Sequence, residues 1–521
     1  MAELFKGYAE AKGSEIALTD DFGERNWADY NDRVNQLVKA LRASGLKQGS
    51  AVALLSGNRR EYYETLGAVN HAGFIVVPVN WHFVAEEIQY MVEDSGAEAL
   101  IVDARFTDVA VQCGQGEILK VKVLIDGTPP EGFVDYDAFI GAESTDEPDN
   151  QTSGGIMFYT SGTTGRPKGV RSSAMSTVGN PMDGMGELSA LVGASLGAPS
   201  EGRSLLCGPA YHSAQWAFSW LPFTAGSSIV MRHKFDPAET LDLIDQYKIT
   251  NSHMVPTQFV RLLKARDGGE LQDGFDGSSL DIIWHGAAPC SPMIKKQMIE
   301  WWGPKITEYY GGTEGGILTT IDSHEWLERP SSVGKPNPAQ YKVEIIDDDG
   351  NPCPTGTPGT IYQINLDGAD FEYHNKPEET AKRHRGNSNL TLGDIGYVDE
   401  EGYLFLTDRK IDMIISGGVN IYPAEIESVL VAHPAIKDVA VFGVPNDEFG
   451  EEIKAVVELL DASKSGDTMN DDIKAYAAEH LAKYKVPRSI DYSTDMPRTP
   501  AGKLLKRMLR DPYWEGKDRS I

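Results

Sequence analysis

Apolar positions in the first third of the chain alternate between two textures. Val34, Leu37, Val38 and Leu41 recur at i, i+3, i+4 and i+7, the stripe of an amphipathic helix that Gly45 closes. The five apolar residues at 51–55 follow as a buried strand. Asn58 is the expected N-cap of a second helix that runs to about His71 and stops at Gly73, and the run at 74–79 is another strand. A third helix over 85–94 leads into a strand at 99–102. Strands apolar on both faces, alternating with amphipathic helices, are what a parallel sheet covered on both sides requires. The alternation returns between Ser204 and Trp284, where a helix over Pro237–Tyr247 separates strands at 228–231 and 251–255.

Beyond Gly334 the pattern changes. Short strands at 341–346, 359–364 and 402–406 are separated by Asp, Gly and Pro turns, which predicts an antiparallel sheet or barrel instead of a further βαβ unit. From Asp408 onward, helices over 424–432 and 471–482 and strands over 439–444 and 453–459 predict a small separate α+β domain. The expected fold class is α/β. A large domain over 1–408, with two βαβ-type layered subdomains and a small β-barrel-like subdomain, precedes a small mobile domain over 409–521.

Composition narrows the partners. Hydrophobic residues make up 41% and charged residues 24% of 521, the balance of a folded globular protein. Forty-eight cations against 77 anions leave a net charge of −29, a surface that repels nucleic acid and anionic membranes. The four cysteines, Cys113, Cys207, Cys290 and Cys353, lie far apart without metal-ligand spacing, as expected in a reducing compartment. The amino terminus lacks the apolar core of a signal peptide, and no apolar run approaches the ~20 residues of a membrane span. These features predict a cytoplasmic protein without a membrane span, and leave a homodimer open.

The net charge also constrains binding, because any anionic ligand must be held locally against an opposing field. At 159–170 the string YTSGTTGRPKGV leaves an apolar strand end with three glycines, four hydroxyl residues and two cations. Such a loop offers amides and hydroxyls to phosphate oxygens, and its glycines let the backbone approach closely. It is not a Walker A loop, since no Gly-Lys pair follows the required spacing.

The full string resembles the signature of the adenylate-forming enzymes: acyl- and aryl-CoA synthetases, luciferases and the adenylation domains of peptide synthetases. Further motifs occur in that family's order over nearly the whole chain. YGGTE at 310–314 resembles the motif whose tyrosine stacks on adenine, whose threonine meets the α-phosphate and whose glutamate holds magnesium. GDIGY at 393–397 resembles the motif whose aspartate binds the ribose hydroxyls. Asp408-Arg409, leading into SGGVN at 416–420, resembles the segment joining the two domains. PRTPAGK at 497–503 resembles the terminal motif that carries the catalytic lysine.

The resemblance implies ATP-dependent ligation of a carboxylic acid to coenzyme A, with ATP, Mg²⁺ and coenzyme A as the small molecules used. Lys503, Thr163 and Glu314 would be catalytic. Thr160, Ser161, Gly162, Thr163, Thr164, Gly165, Lys168, Gly286, Ala287, Ala288, Tyr310, Gly311, Thr313, Asp394 and Arg409 would bind ATP, and Glu314 the metal. His212, in AYHS at 210–213, would border the acyl pocket. Ser416, Gly417 and Gly418 would line the path of the thiol after the small domain turns about a hinge at Ile411, where the family usually has Asp or Lys. Each role has a physical rationale: a carboxylate at a strand end pairs well with a vicinal diol, and one carboxylate plus phosphate oxygens is a usual way to hold Mg²⁺. Amino-acid-activating domains usually carry an aspartate near AYHS, and here the chain reads YHSAQWAF, so an amino-acid substrate is not expected. Trp216, Phe218, Trp220 and Trp284 are expected pocket wall, for a medium- or long-chain, aryl or steroid-like acid. Two alternatives stand: an enzyme that stops at the adenylate or loads a carrier-protein thiol, and a non-catalytic nucleotide-sensing protein on the same scaffold.

Overall fold

The continuous apolar runs of the first third do become parallel strands. The structure, a computed structural model, describes residues 2–113, 118–160, 166–173, 178–181, 191, 193–199, 201–271, 274–409, 412–416, 419–446, 449–498 and 504–515. Among them a six-stranded, all-parallel sheet runs in the order Val134–Asp135, Val121–Ile125, Ala97–Asp103, Ala51–Leu55, Ile75–Pro78 and Gly155–Ile156. Every residue of Ala51–Leu55 and of Ile75–Pro78 is buried, which is why these segments show no polar alternation. The helix Arg60–Ala72 ends on Gly73, whose φ of 70° supplies the left-handed turn.

Its start differs from expectation. Arg59, not Asn58, is the N-cap, and its side chain makes no cap hydrogen bond. Asn58 instead joins two sheets: its amide donates to the Gly208 carbonyl at 2.7 Å and the Arg232 carbonyl at 2.9 Å, and its side-chain oxygen accepts from the Ala210 amide. A buried amide side chain with both polar ends used across an interface is worth more there than at a helix start.

Those carbonyls follow the carboxyl ends of two strands of the second, larger sheet. Its strands Ile16–Asp20, Ser228–Met231, Arg203–Leu206, Asn251–Met254, Ile282–His285 and Ile306–Gly312 are parallel neighbours in that order. At Gly316–Ile321 the direction reverses. The sheet continues antiparallel through Ser332–Pro336, Leu404–Arg409, Asp394–Val398, Gly359–Asn365 and Tyr341–Ile346. The antiparallel texture after Gly334 is thus present, but its strands extend an open sheet and close no barrel among the described residues. A three-stranded sheet of Phe158–Thr160, Lys168–Ser172 and Phe371–Tyr373 stands apart.

Toward the carboxyl end a five-stranded sheet holds Ile414–Ser416, Val419–Ile421, Ile436–Asn446, Gly450–Leu459 and Ser489–Tyr492, with the helices Pro423–Leu430 and Asp467–His480. It has its own apolar core around Ile414, Ile426, Val441 and Ile473. Two hydrogen-bonding side chains reach it from the larger sheet's helices and loops. The Lys264 ammonium donates to the carbonyls of Ile436 and Lys437, and the Ser291 hydroxyl to that of Ser428.

Candidate active site

Parallel strands of the large sheet deliver the candidate residues at their carboxyl ends, the edge where open α/β sheets bind ligands. Arg203–Leu206 leads to His212, Ile282–His285 leads to Gly286, and Ile306–Gly312 itself carries Tyr310 and Gly311. On the last strand, Glu308 forms a buried ion pair at 2.7 Å with Lys295 of the helix Pro292–Trp302. Two positions on, Tyr310 and Asp394 meet: the phenol donates to the carboxylate at 2.8 Å, and both residues are 8% exposed. Gly393, at φ +86°, makes the turn that starts strand Asp394–Val398, and in the register of that strand Asp394 lies opposite Arg409. The Arg409 side chain lies outside the described residues.

Around the next turn, Glu314 accepts a hydrogen bond from the Tyr373 phenol at 2.9 Å on one carboxylate oxygen. A Cβ placed on Gly312 would fall 3.0 Å from both Leu392 methyls and 3.3 Å from the other oxygen, so only glycine lets the backbone pass this close. Lys168 lies over the Tyr373 ring, 5.1 Å from its centroid, and pairs with Glu379 at 2.7 Å. The hydrogen bond from Lys168, with that from Lys382, holds the Glu379 carboxyl down at about 2. Burial and the charge of Glu314 keep the Tyr373 phenol protonated, well above its ordinary value. Arg383, anchored on the Leu392 carbonyl, stands beside it.

A third contact ties this region to the neighbouring helix. Thr313 and Ser213 share a hydrogen bond at 2.8 Å, and Ser213 opens the helix Ser213–Thr224 that His212 caps. Beyond it, Phe218 stacks on His253 with 13° between the rings and packs on Trp284 and Tyr309. His253 is hydrogen-bonded by Gln215 through one ring nitrogen and by the Tyr309 hydroxyl through the other, both at 2.9 Å. Burial, then the nearby His212, pull its pKa down to about 3, so it is neutral. Gly286 lies against this cluster: a Cβ there would come 2.6 Å from the Tyr309 ring. Ala287 follows at φ +66°, a left-handed conformation that costs a non-glycine residue energy and concentrates at ligand-binding turns. Ala288 continues this irregular turn after strand Ile282–His285.

Of the aromatic residues expected in the pocket wall, Phe218 and Trp284 share this cluster. Trp220 instead packs with Phe5, Tyr63 and Phe223 in the amino-terminal core, and Trp216 packs on Phe158. Thr160 ends strand Phe158–Thr160 opposite Lys168, and Ser416 ends Ile414–Ser416. Ser161, Gly162, Thr163, Thr164, Gly165, Ile411, Gly417, Gly418 and Lys503 lie outside the described residues. Sequence reading missed Tyr373, Glu379, Arg383, His253, Tyr309 and Gln215. The first three sit in a tract without a recognisable motif (FEYHNKPEETAKR), and only the fold brings it against Glu314 and Lys168.

One phenol–carboxylate pair, one carboxylate held by a phenol through a single oxygen and one lysine on a strand pair is a set of groups suited to a nucleotide, and family comparison decides whose. A model of the AMP-binding enzymes matches residues 5–364, and one of the AMP-binding enzyme C-terminal domain matches residues 425–503. The chain belongs to the AMP-binding enzyme family. Feruloyl-CoA synthase of an Amycolatopsis species is 33% identical over 93% of each chain. Medium/long-chain-fatty-acid–CoA ligase FadD8 of Mycobacterium tuberculosis is 30% identical over 94% of this chain and 86% of the relative. The solved o-succinylbenzoate CoA synthetase of Bacillus subtilis, in complex with its acyl-adenylate intermediate, superposes with a TM-score of 0.80 at 26% identity over 98% of each chain. This AMP-binding enzyme is an acid–thiol ligase, built as the adenylate-forming enzymes are. Among its described residues no helix is long and apolar enough to cross a membrane.

Proposed function

We propose that the chain is an acyl-CoA synthetase that activates a bulky carboxylate (medium- or long-chain, aryl or steroid-like) through an acyl adenylate. A carboxylate is a poor electrophile because its charge is delocalised and oxide would have to leave. Attack of its oxygen on the α-phosphorus of ATP expels pyrophosphate and leaves AMP as the next leaving group. Both reactants are anions, so the barrier is electrostatic, and fixed donors lower it most. In this reading Tyr310 stacks on adenine, Asp394 and Arg409 hold the ribose, and Lys168 with the loop from Thr160 to Gly165 holds the outer phosphates. Thr313 meets the α-phosphate, and Lys503 bridges the attacking carboxylate and the nucleotide. No general base is required, since the acid enters ionised.

Magnesium fits the residues present: Tyr373 fixes one oxygen of Glu314, which leaves the other to a cation. A single protein carboxylate, with substrate phosphates and waters, suits this ion. When bound it would screen the phosphate charge that repels the incoming acid. In the second half-reaction the segment from residue 409, turning near Ile411, withdraws Lys503 and brings Ser416, Gly417 and Gly418 beside the thiol of coenzyme A.

The observation that carries the reading is the Tyr310–Asp394 contact, which joins two motifs 84 residues apart. The test is AMP release over a panel of carboxylic acids, with and without coenzyme A. Acid-dependent AMP with one acyl-CoA formed per AMP is expected. AMP without any acyl-CoA would mean an enzyme that stops at the adenylate or hands it to another acceptor.

A further inference from the structure

Tyr373 belongs to none of the sequence motifs, yet it is the residue on which the metal and phosphate ends of the site converge. Its strand, Phe371–Tyr373, pairs with Lys168–Ser172, with Val170 opposite Tyr373, and that strand pairs in turn with Phe158–Thr160, which leads into the phosphate loop. Its phenol donates to Glu314 at 2.9 Å, and its ring face lies under the Lys168 ammonium. Its backbone amide donates to the Thr380 hydroxyl, which anchors the helix Pro377–Ala381 that carries Glu379. Phe371 packs edge-on against the ring at 5.2 Å, and only 5% of Tyr373 is exposed, so the phenol has little freedom to move.

We propose that Tyr373 is a positioning residue that makes magnesium and the triphosphate bind cooperatively, by fixing Glu314 with its hydroxyl and Lys168 with its ring. The proposal rests on the reading of Glu314 as metal ligand and Lys168 as phosphate ligand. Glu314 and Lys168 carry opposite charges and face the same phenol. Without the hydroxyl, Glu314 is released to turn away from the metal position toward the ammonium, which Glu379 already pairs, so the loss falls on the metal and not on the phosphate. With the hydroxyl in place, Glu314 keeps one oxygen for the metal, and Lys168 stays over the ring, held by the π face and by its ion pair with Glu379. The cation can then exchange Glu379 for a phosphate oxygen without moving far. Two ligands that each find their protein partner already placed report this as a coupling between their affinities.

Calorimetric titration of ATP, with and without Mg²⁺, into the full-length chain and its Tyr373→Phe variant tests the proposal. In the parent, Mg²⁺ should tighten ATP binding. In Tyr373→Phe that enhancement should fall about ten-fold, the worth of one hydrogen bond to a carboxylate. ATP affinity without metal should change less than about two-fold, because the ring remains under Lys168. In a Glu314→Gln background, where no carboxylate is left to place, Tyr373→Phe should change the enhancement by less than about two-fold. An undiminished enhancement in Tyr373→Phe, an equal loss with and without metal, or additive losses in the double variant would each overturn the proposal. If the parent itself bound no ATP, the assignment of Lys168 and Glu314 would fall instead, a result separable from failure of the coupling.

Discussion

Glu379 pairs with Lys168, the cation that the proposed function assigns to the outer phosphates. Both side chains reach solvent, so the pair is screened and its strength is that of a partly exposed ion pair, small but in direct competition with the nucleotide. Glu379→Gln removes the competing charge and keeps the shape. The KM for ATP in pyrophosphate exchange should therefore fall a few-fold, with kcat nearly unchanged. A raised KM would mean that Glu379 assists the lysine. At the same scale, the sequence discloses which residue types are present but not their neighbours. YGGTE and GDIGY are legible as nucleotide motifs, whereas the hydrogen bond between Tyr310 and Asp394 spans 84 positions and exists only in the fold. Tyr373 is silent in the sequence because a tyrosine in a short strand has an ordinary core reading, and its hydroxyl partner is 59 positions away.

At the scale of elements, the parallel strands are the most legible part, because burial on both faces leaves an unbroken apolar run that few other structures produce. Helix ends are legible where backbone geometry demands a particular residue, as at Gly73, and illegible where a side chain has a better use, as at Asn58. The antiparallel strands after Gly334 are recognisable one by one, but whether they close on themselves or extend a neighbouring sheet depends on pairing that local pattern does not encode. The carboxyl-terminal segment carries its own core, and among the described residues Lys264 and Ser291 hydrogen-bond to it from the rest of the chain. Its proposed rotation predicts a separation of roles. Lys503→Ala should slow adenylate formation by orders of magnitude, while thioester formation from supplied acyl-AMP stays within a few-fold of the parent. Gly418→Leu should do the reverse, because a side chain there would obstruct the thiol's approach. Measuring the two half-reactions separately checks both, and equal damage to each by either substitution would contradict alternation.

For the whole molecule, the opposing field is the feature that any nucleotide site must overcome. A chain of net charge −29 repels ATP at a distance, so affinity has to arise at short range, from hydrogen bonds and a few cations at one sheet edge. Two sheets meeting at the carboxyl ends of their strands, bridged by Asn58, provide that edge. In the proposed function, activity depends on residues remote in sequence acting on one nucleotide. The most direct test is acid-dependent exchange of radiolabelled pyrophosphate into ATP, compared between the parent chain and Asp394→Ala. Exchange that requires a carboxylic acid in the parent, and falls at least about 100-fold in the variant from loss of a doubly hydrogen-bonded, charge-assisted contact, is the expected result. Exchange that persists undiminished in Asp394→Ala, or that no carboxylic acid elicits from the parent, would contradict it.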